Sequence, residues 1–214
     1  MQTITIGSNT YNLVTLPSSP APSDLGLGMN DAVAVQTSPF TRAEQTQYWP
    51  GGDFWDATIT LPPLSSAQAA AWRGATAELS GRAYVVQLGD RSQKQPAGAA
   101  LGIPEINAGS GLNAPMTKVL STFGWTPNIA RILLPGDYLQ VGYRLYVVTE
   151  VANSASDGTA SVSIWPSIRE TPAGATPIIL NQPVGLFRLA ANRRSLQVSK
   201  DRLTTLSLSF VEAR

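Results

Sequence analysis

The segment at residues 132–170 constrains the fold of this chain more than any other part of it. Apolar and polar residues alternate along 139–151, a period of two that is typical of a strand with one buried face. Turn-forming residues follow at 153–158, and the alternation resumes at 159–165. The pattern predicts a two-stranded antiparallel unit. Because the segment carries no obvious catalytic group, it favours a role in assembly over a role in chemistry.

One α-helix is predicted at about 65–80. Ser65 is a favourable N-cap, and Gln68 three residues later completes a capping box. Trp72 lies on the narrow, alanine-rich apolar face, which predicts close packing of the helix on a sheet. Gly81 follows the last helical residues, where a C-terminal glycine is favoured.

The rest of the periodic pattern predicts short strands. Residues 2–16 predict a hairpin around a turn at Gly7, Ser8 and Asn9, and residues 42–61 predict a second hairpin around a turn at 50–53. Other strands are predicted at 32–35, 82–88, 184–190, 195–198 and 203–212. The expected fold class is mainly β: an antiparallel β-sandwich or a barrel-like pair of sheets, with one α-helix and a long irregular insertion.

A single β-rich domain spanning 1–214 is the predicted organisation. Residues 89–128 are rich in Gly, Ala, Pro, Ser and Asn and show little periodicity, so we expect an irregular arm or insertion there. Residues 17–30 read as an extended Pro/Ser/Gly loop. Both segments are expected to contact other subunits.

Composition excludes several classes of site. The chain has no cysteine and no histidine, so zinc sites built on these residues, disulfides, Cys nucleophiles and Ser-His-Asp triads are excluded. No cofactor and no metal site are expected. Only 14% of residues are charged, which suits a surface covered by other subunits, and the net charge of +1 gives no general attraction to nucleic acid or membrane. We expect no signal peptide, no membrane span and no sequence-specific nucleic-acid binding.

The carboxylates are scattered along the chain, and those at Asp53, Asp137 and Asp157 lie in turn sequences where Asp binds the local backbone. The chain is therefore predicted not to be an enzyme. An enzyme that cleaves polysaccharides, which needs only two carboxylates, remains a minor alternative.

Gly-rich stretches at 98–102 and 109–111 lack the ending of a phosphate-binding loop and are read as flexible loops. Basic residues cluster near the end of the chain and predict a solvated hairpin or a charged patch at a subunit interface; they are Arg188, Arg193, Arg194, Lys200 and Arg202.

Aromatic residues flank the turn at 50–53: Tyr48, Trp49, Phe54 and Trp55. Such residues are more often core or interface anchors than sugar platforms. The alternative function is a carbohydrate-binding module for host attachment. As interface residues we single out Trp49, Trp55 and Arg188.

Three motifs resemble the tail-tip proteins of tailed phages, in particular the distal tail protein of siphophages. The first begins with Pro-Gly-Asp at 135–137, continues through the strands predicted in 138–165 and ends with Trp-Pro-x-x-Arg at 165–169. The second is the run 54–64 followed by the alanine-rich helix. The third is the stretch 185–190 before the last strand. The resemblance covers most of 42–90 and 131–212.

The resemblance implies a β-sandwich with one helix, assembled as a homo-oligomeric, hexameric ring. That ring would join the tail tube to the baseplate hub and other tail-tip proteins, including receptor-binding parts, in a virion assembled in the host cytoplasm. Many members carry a second, galectin-like or OB-like domain. Because 89–128 is short and irregular, a second domain of full size is not expected here.

Overall fold

The structure, a computed structural model, describes residues 2–6, 9–109 and 111–214. Its strands are β1 (Gln2–Ile6), β2 (Asn9–Leu13), β3 (Asp24–Asn30), β4 (Val33–Thr37), β5 (Glu44–Tyr48), β6 (Phe54–Thr60), β7 (Val86–Leu88), β8 (Gly102–Ile106), β9 (Val119–Trp125), β10 (Tyr138–Val141), β11 (Arg144–Val148), β12 (Ala160–Trp165), β13 (Ile178–Ile179), β14 (Gly185–Leu189), β15 (Gln197–Val198), β16 (Thr204–Thr205) and β17 (Ser207–Glu212). The one helix of the described residues is α1 (Ser66–Glu78). The predicted mainly β, antiparallel fold with a single helix is confirmed. The predicted turn residues Gly7 and Ser8, and Ser110 of the 109–111 stretch, lie outside the described residues.

The contacts of the chain separate into two compact units. Unit 1 comprises residues 1–28, 55–92 and 184–214, and unit 2 comprises residues 29–54 and 93–183. The prediction of one β-rich domain over 1–214 stays a prediction, because units that share the chain in this way need not fold independently.

Unit 1 is built on a five-stranded sheet in the order β3-β6-β17-β14-β7. In β17 the residues alternate strictly between exposed and buried positions, apart from a half-buried Val211. Leu206, Leu208 and Phe210 all point into the core, as the alternation of the sequence predicted. Two smaller hairpins, β1–β2 and β15–β16, complete the strands of this unit.

The helix of unit 1 begins and ends where its sequence directs. The Ser65 hydroxyl accepts a hydrogen bond from the Gln68 amide, and the Gln68 side chain accepts one from the Ser65 amide, so the predicted capping box is present. Ala69, Trp72, Ala75 and Thr76 form the buried face. At the C-terminal end Ser80 (φ +49°) already takes the left-handed conformation before Gly81 (φ +69°) does, so the predicted glycine is the second of two such residues.

Unit 2 consists of two insertions into unit 1. Residues 93–183 leave the sheet after β7 and return in β14, and these strands are paired neighbours with Leu88 opposite Gly185. Residues 29–54 likewise lie between β3 and β6, which are also neighbours in the sheet. Each insertion therefore replaces the loop between two adjacent strands.

The larger insertion forms a six-stranded antiparallel sheet in the order β13-β10-β11-β12-β9-β8. The sheet curls until its two edges meet: the Ile106 amide donates to the Thr176 carbonyl at 2.9 Å, and the Ala175 amide donates to the Ile106 carbonyl at 2.9 Å. The result is a nearly closed barrel whose interior holds buried apolar side chains such as Leu120, Leu139 and Ile164.

The central segment differs from its prediction in strand number. The expected single strand over 139–151 is divided at Gly142, where a two-residue turn pairs Val141 with Arg144. The two-residue turn moves the core-facing positions from odd numbers, as at Leu139, to even numbers, as at Tyr146. Because β11 is apolar at four consecutive positions, the odd-numbered pattern continues through the turn, and the sequence does not reveal it. In addition, β11 is buried along its whole length, and its core-facing residues include Tyr146 and Val148. The unit is thus a three-stranded meander of β10, β11 and β12.

Residues 89–128 are not an irregular arm. They supply β8 and β9, two strands of the barrel, and the expectation that the chain lacks a second domain of full size stays a prediction. The strands were hard to recognise because Pro104 lies inside β8, next to a shift of register between Gly102 and Glu105, and Gly124 (φ +86°) interrupts β9.

The predicted hairpin at 42–61 is also corrected. β5 pairs with β4, with Val35 opposite Thr46, whereas β6 pairs with β17 in unit 1. β5 is exposed along its whole length and contributes no residue to a core, whereas β6 buries every second residue. Nothing in the described ranges forms a helix long and apolar enough to cross a membrane.

Candidate functional site

Among the described residues, the most exposed hairpin is that of β4 and β5 with its tip at 38–43, which we call the arm hairpin. The five residues of β5 are all exposed, and so are four of the five in β4. An isolated two-stranded hairpin has too little buried surface to be stable by itself in water. Its shape must therefore be maintained from its base or by a partner.

The tip of the arm hairpin is well ordered by hydrogen bonds although it projects into solvent. The Ser38 amide donates to the Ala43 carbonyl at 2.9 Å, and the Arg42 amide donates to the Ser38 carbonyl at 2.9 Å. The Ser38 hydroxyl also accepts a hydrogen bond from the Thr41 amide. This loop presents Phe40, whose residue surface is 94% exposed. A large aromatic side chain held in water on an ordered loop is a typical binding anchor.

One face of the arm hairpin is apolar near its base. Directly opposed residues of an antiparallel pair share a face, and the pair Val33–Tyr48 lies on the same face as Val35–Thr46. Val33, Val35 and Tyr48 are all partly exposed. The other face carries Gln36, Gln45 and Gln47. The hairpin thus has one apolar side, one polar side and an aromatic tip.

The base of the arm hairpin is fixed to the barrel of unit 2 around a buried carboxylate, Asp53, in what we call the Asp53 cluster. The Asp53 side chain is fully buried, and the Tyr48 hydroxyl donates a short hydrogen bond to it. The Ser167 hydroxyl donates to the same carboxylate at 3.2 Å, and the Lys118 ammonium lies 3.3 Å from it. The Lys118 nitrogen also stands 4.6 Å from the centre of the Tyr48 ring.

Further hydrogen bonds surround the cluster. The Gly51 amide donates to the Ser167 hydroxyl at 2.7 Å, and the Arg169 guanidinium donates to the Asp53 carbonyl at 2.5 Å. The Trp165 indole donates to the Asp31 carboxylate at 2.7 Å, at the other end of the arm hairpin. Both ends of the hairpin are therefore attached to the strand end and loop at 165–169.

The charged forms of Asp53 and Lys118 stabilise each other. Burial acts to raise the pKa of Asp53, but hydrogen bonds from Tyr48 and Ala32 and the charge of Lys118 outweigh it, so the pKa lies below its ordinary value. Burial acts to lower the pKa of Lys118, but Tyr48 and Asp53 raise it above its ordinary value. Burial and the bond to Asp53 raise the pKa of Tyr48. Near neutral pH the cluster thus holds a carboxylate, an ammonium and a neutral phenol.

The three residues singled out as interface candidates lie in different environments. Trp49 follows β5 and is 47% exposed. Trp55 is completely buried in unit 1, so its side chain offers no surface to a partner. Arg188 is half-buried, lies 5.7 Å from the centre of the Tyr11 ring and donates to the Arg214 carbonyl at 3.0 Å. An interface role for Trp49 and Arg188 stays a prediction.

The aromatic cluster proposed for sugar binding is not a continuous platform. A sugar platform needs neighbouring rings that are open to solvent, whereas Trp55 is buried and the Tyr48 hydroxyl is engaged by Asp53. Carbohydrate binding stays a prediction, with Trp49 as the ring available to it.

The two other carboxylates that the sequence places in turns, Asp137 and Asp157, accept hydrogen bonds from groups of the fold. Asp137 is fully buried and accepts hydrogen bonds from Gln93, Ala97, Gly98 and Leu134. Asp157 accepts hydrogen bonds from the amide and hydroxyl of Thr159, which lower its pKa. Local backbone binding is confirmed for Asp157 and, through the Leu134 amide, for Asp137. Asp137 and Asp53 both bind groups far away in the sequence as well.

No group of three or more Asp or Glu side chains that could hold a metal ion occurs within 2–6, 9–109 and 111–214. Comparison with known proteins finds no family model that matches this chain and no similar curated protein. The features that bear on function are the arm hairpin, its base and the remaining surface of unit 1.

That surface includes an apolar pocket of about 270 Å³ in unit 1. Its lining includes Leu16, Pro22, Leu25, Ile59, Trp72 and Leu88. Ile59, Trp72 and Leu88 are buried and form the floor, while Leu16, Pro22 and Leu25 are half-buried. The extended loop predicted at 17–30 is only partly correct, because its second half forms β3. Sequence reasoning missed the pocket because its lining comes from residues 16–22, from β3, β6 and β7 and from the helix, which are distant in the chain.

Proposed function

We propose that this chain is a structural subunit of a phage tail tip, a distal tail protein that assembles as a homo-oligomeric, hexameric ring. The ring would join the tail tube to the baseplate hub and to receptor-binding parts of the virion. The observation that carries the proposal is the arm hairpin, an ordered and almost fully exposed element with Phe40 at its tip.

The arm hairpin suits assembly because its exposed surface is costly for a free subunit. Its apolar face and its aromatic tip gain free energy when a partner covers them. The outer edges of β4 and β5 also carry backbone groups that a strand from another subunit can pair with, as edge strands do in many complexes. The Asp53 cluster fixes the base, so little conformational entropy is lost when the tip binds.

The composition agrees with a subunit of this kind. With 14% charged residues, the chain has fewer charges than the roughly 25% of an average soluble domain. Partner subunits would cover much of such a surface. The proposal needs no cofactor, no metal, no membrane and no sequence-specific nucleic acid, and it describes a chain that is not an enzyme.

The proposal places the protein in the virion, at the tail tip, after assembly in the host cytoplasm. Its partners would be further copies of itself, the tail tube protein, the baseplate hub and other tail-tip proteins. The motifs at 54–64, 135–137 and 165–169 that resemble distal tail proteins give the proposal its particular place in the tail.

The test is to measure the mass of the purified protein in solution and to image it in negative stain. We expect a six-fold ring, formed by the protein alone or on addition of the tube protein. A variant in which residues 34–47 are replaced by a short turn should keep the barrel folded and lose the ring. A protein that stays monomeric at high concentration, both alone and with the tube protein, would contradict the proposal.

A further inference from the structure

We propose that the Asp53 carboxylate is a latch that sets the direction of the arm hairpin on the barrel of unit 2. When the latch is opened, the arm hairpin swings as a rigid lever while the barrel stays folded. Both parts belong to the same compact unit. The latch is a device within one subunit and goes beyond the proposed ring, in which it would direct the tip of the arm hairpin toward a partner.

Groups from two sides bind this one carboxylate. From the arm hairpin, the Tyr48 hydroxyl at the end of β5 donates to it, and so does the Ala32 amide at 3.4 Å. From the barrel, the Ser167 hydroxyl donates to it at 3.2 Å, and the Lys118 ammonium lies 3.3 Å away. A single side chain thus joins both strands of the arm hairpin to two segments of the barrel.

The arm hairpin is a rigid body beyond this junction. At its base the Trp49 amide donates to the Ala32 carbonyl at 2.9 Å. At its tip the Ser38 amide donates to the Ala43 carbonyl, and the paired strands lie between these two bonds. All five residues of β5 are exposed, so this strand buries little surface that would hold the hairpin against the barrel. The direction of the hairpin therefore depends on the polar contacts at its base.

Two further contacts define how the lever turns. Gly51, two residues before Asp53, has φ +83°, a left-handed conformation that glycine adopts without strain. The Gly51 amide donates to the Ser167 hydroxyl at 2.7 Å, so the hydroxyl that binds the latch also binds this turn. At the other strand of the hairpin, the Trp165 indole donates to the Asp31 carboxylate. That bond lies outside the latch and remains as a tether when the latch opens.

Loss of a single bond to the latch is enough to change the balance between the fixed and the swinging arm. Removal of a hydrogen bond to a charged acceptor changes an equilibrium constant about tenfold or more. The Lys118 side chain is 39% exposed, so water screens its attraction to the carboxylate and the hydroxyl donors carry more of the contact. Tyr48→Phe is the sharpest change, because it deletes one donor and keeps the aromatic ring beside the Lys118 ammonium.

The experiment measures the distance between the tip of the arm hairpin and the barrel. The chain has no cysteine, so two introduced cysteines take up nitroxide labels without competition. Phe40→Cys places one label at the tip, and Ser161→Cys places the other at an exposed position of β12 in the barrel. Labelled chains are diluted with unlabelled protein, so that pulsed electron–electron resonance reports distances within one chain. We expect one narrow distance distribution when the latch is intact.

Two variants open the latch, and one matched variant is the control. In Tyr48→Phe and in Asp53→Asn we expect the tip-to-barrel distribution to broaden or split. Ser163→Ala also removes a hydroxyl that donates to a carboxylate, that of Glu150 at 2.9 Å, but it lies outside the Asp53 cluster and should leave the distribution narrow. A second label pair within the barrel, Val151→Cys with Ser161→Cys, should give narrow distances in every variant.

Three results would overturn the latch. The first is a tip-to-barrel distribution that stays narrow in both Tyr48→Phe and Asp53→Asn, and the second is one that is already broad when the latch is intact. The third is a broadening of the distances within the barrel in Tyr48→Phe, which would mean that this bond maintains the barrel rather than the direction of the arm. Because all distances are measured within one chain, failure of the latch and failure of the proposed ring are separate results.

Discussion

The Lys118 ammonium lies 3.3 Å from the Asp53 carboxylate and connects the residue that precedes β9 with the base of the arm hairpin. The carboxylate is fully buried, whereas the Lys118 side chain is 39% exposed. Asp53 therefore depends on its partners for charge compensation, while Lys118 retains contact with water.

We expect Asp53→Ala to lower the free energy of unfolding by about 2–3 kcal/mol, because the Tyr48 and Ser167 hydroxyls lose their buried acceptor. Urea unfolding followed by tryptophan fluorescence measures this. Asp157→Ala removes an exposed turn carboxylate and should cost less than about 1 kcal/mol. Equal losses in the two variants would mean that the Asp53 cluster does not stabilise unit 2.

The lowered pKa of Asp53 predicts a loss of stability in acid. In the unfolded chain the pKa of Asp is about 3.9, and in the folded protein that of Asp53 is lower. The stabilisation is therefore fully present above the unfolded pKa and disappears as the pH falls through the folded pKa. Melting temperatures measured from about pH 3 to 7 should differ most between the unaltered protein and Asp53→Asn near neutrality. A difference that stays constant across this range would contradict the assignment.

The stability that Lys118 contributes has the opposite pH dependence, because it is lost at alkaline pH. Its folded pKa is raised, so its contribution is fully present below the unfolded value of about 10.4 and is lost as the pH rises through the folded value. We expect Lys118→Met to reduce stability near neutrality and to remove part of the alkaline loss. Melting curves between about pH 9 and 12 give the comparison. An unchanged alkaline slope in the variant would show that another group causes the loss.

Two tryptophans near the same turn should respond differently to substitution. Trp55 is fully buried, and Trp55→Ala should cost about 3–5 kcal/mol because a large cavity forms in the core of unit 1. Trp49 is 47% exposed, and Trp49→Ala should change the stability of the monomer by less than about 1 kcal/mol. Urea titrations of both variants at low protein concentration would reveal the difference, and similar losses would contradict the burial assigned to these residues.

Substitutions at two glycines should change the stability of the protein in opposite directions. Gly142 has φ +58° in the turn between β10 and β11, and a Cβ there meets no atom within 4 Å, so Gly142→Ala isolates backbone strain. We expect it to cost about 1–2 kcal/mol. Gly74 lies inside the helix with the same free space, so Gly74→Ala should stabilise the protein by about 0.5–1 kcal/mol. Calorimetric melting of both variants checks the signs, and a destabilised Gly74→Ala would contradict the helix assignment.

The parts of the fold that local chemistry determines were predictable from the sequence. The capping box of Ser65 and Gln68 and the inward face of Leu206, Leu208 and Phe210 depend on residues a few positions apart. Where strands are buried on both faces, as β11 is, or contain a proline, as β8 does, the periodic signal fails and the strand is missed or misread.

The Asp53 cluster depends on residues that the sequence does not bring together. The two glycines before Asp53 predict a turn carboxylate, yet its charge partner is Lys118 and one of its donors is Ser167. Pairing across such separations is decided by the barrel, so no local pattern shows it. The sequence also does not show which tryptophan is exposed to solvent. Trp49 and Trp55 have similar neighbours in the chain, and the pairing of β6 with β17 explains why Trp55 is buried.

Both insertions of unit 2 begin and end at neighbouring strands of the unit 1 sheet, with Leu88 opposite Gly185 at the larger one. An insertion attached in this way imposes no change of strand order on the sheet that carries it. Replacement of the barrel by another fold would therefore leave the strand order of the unit 1 sheet unchanged.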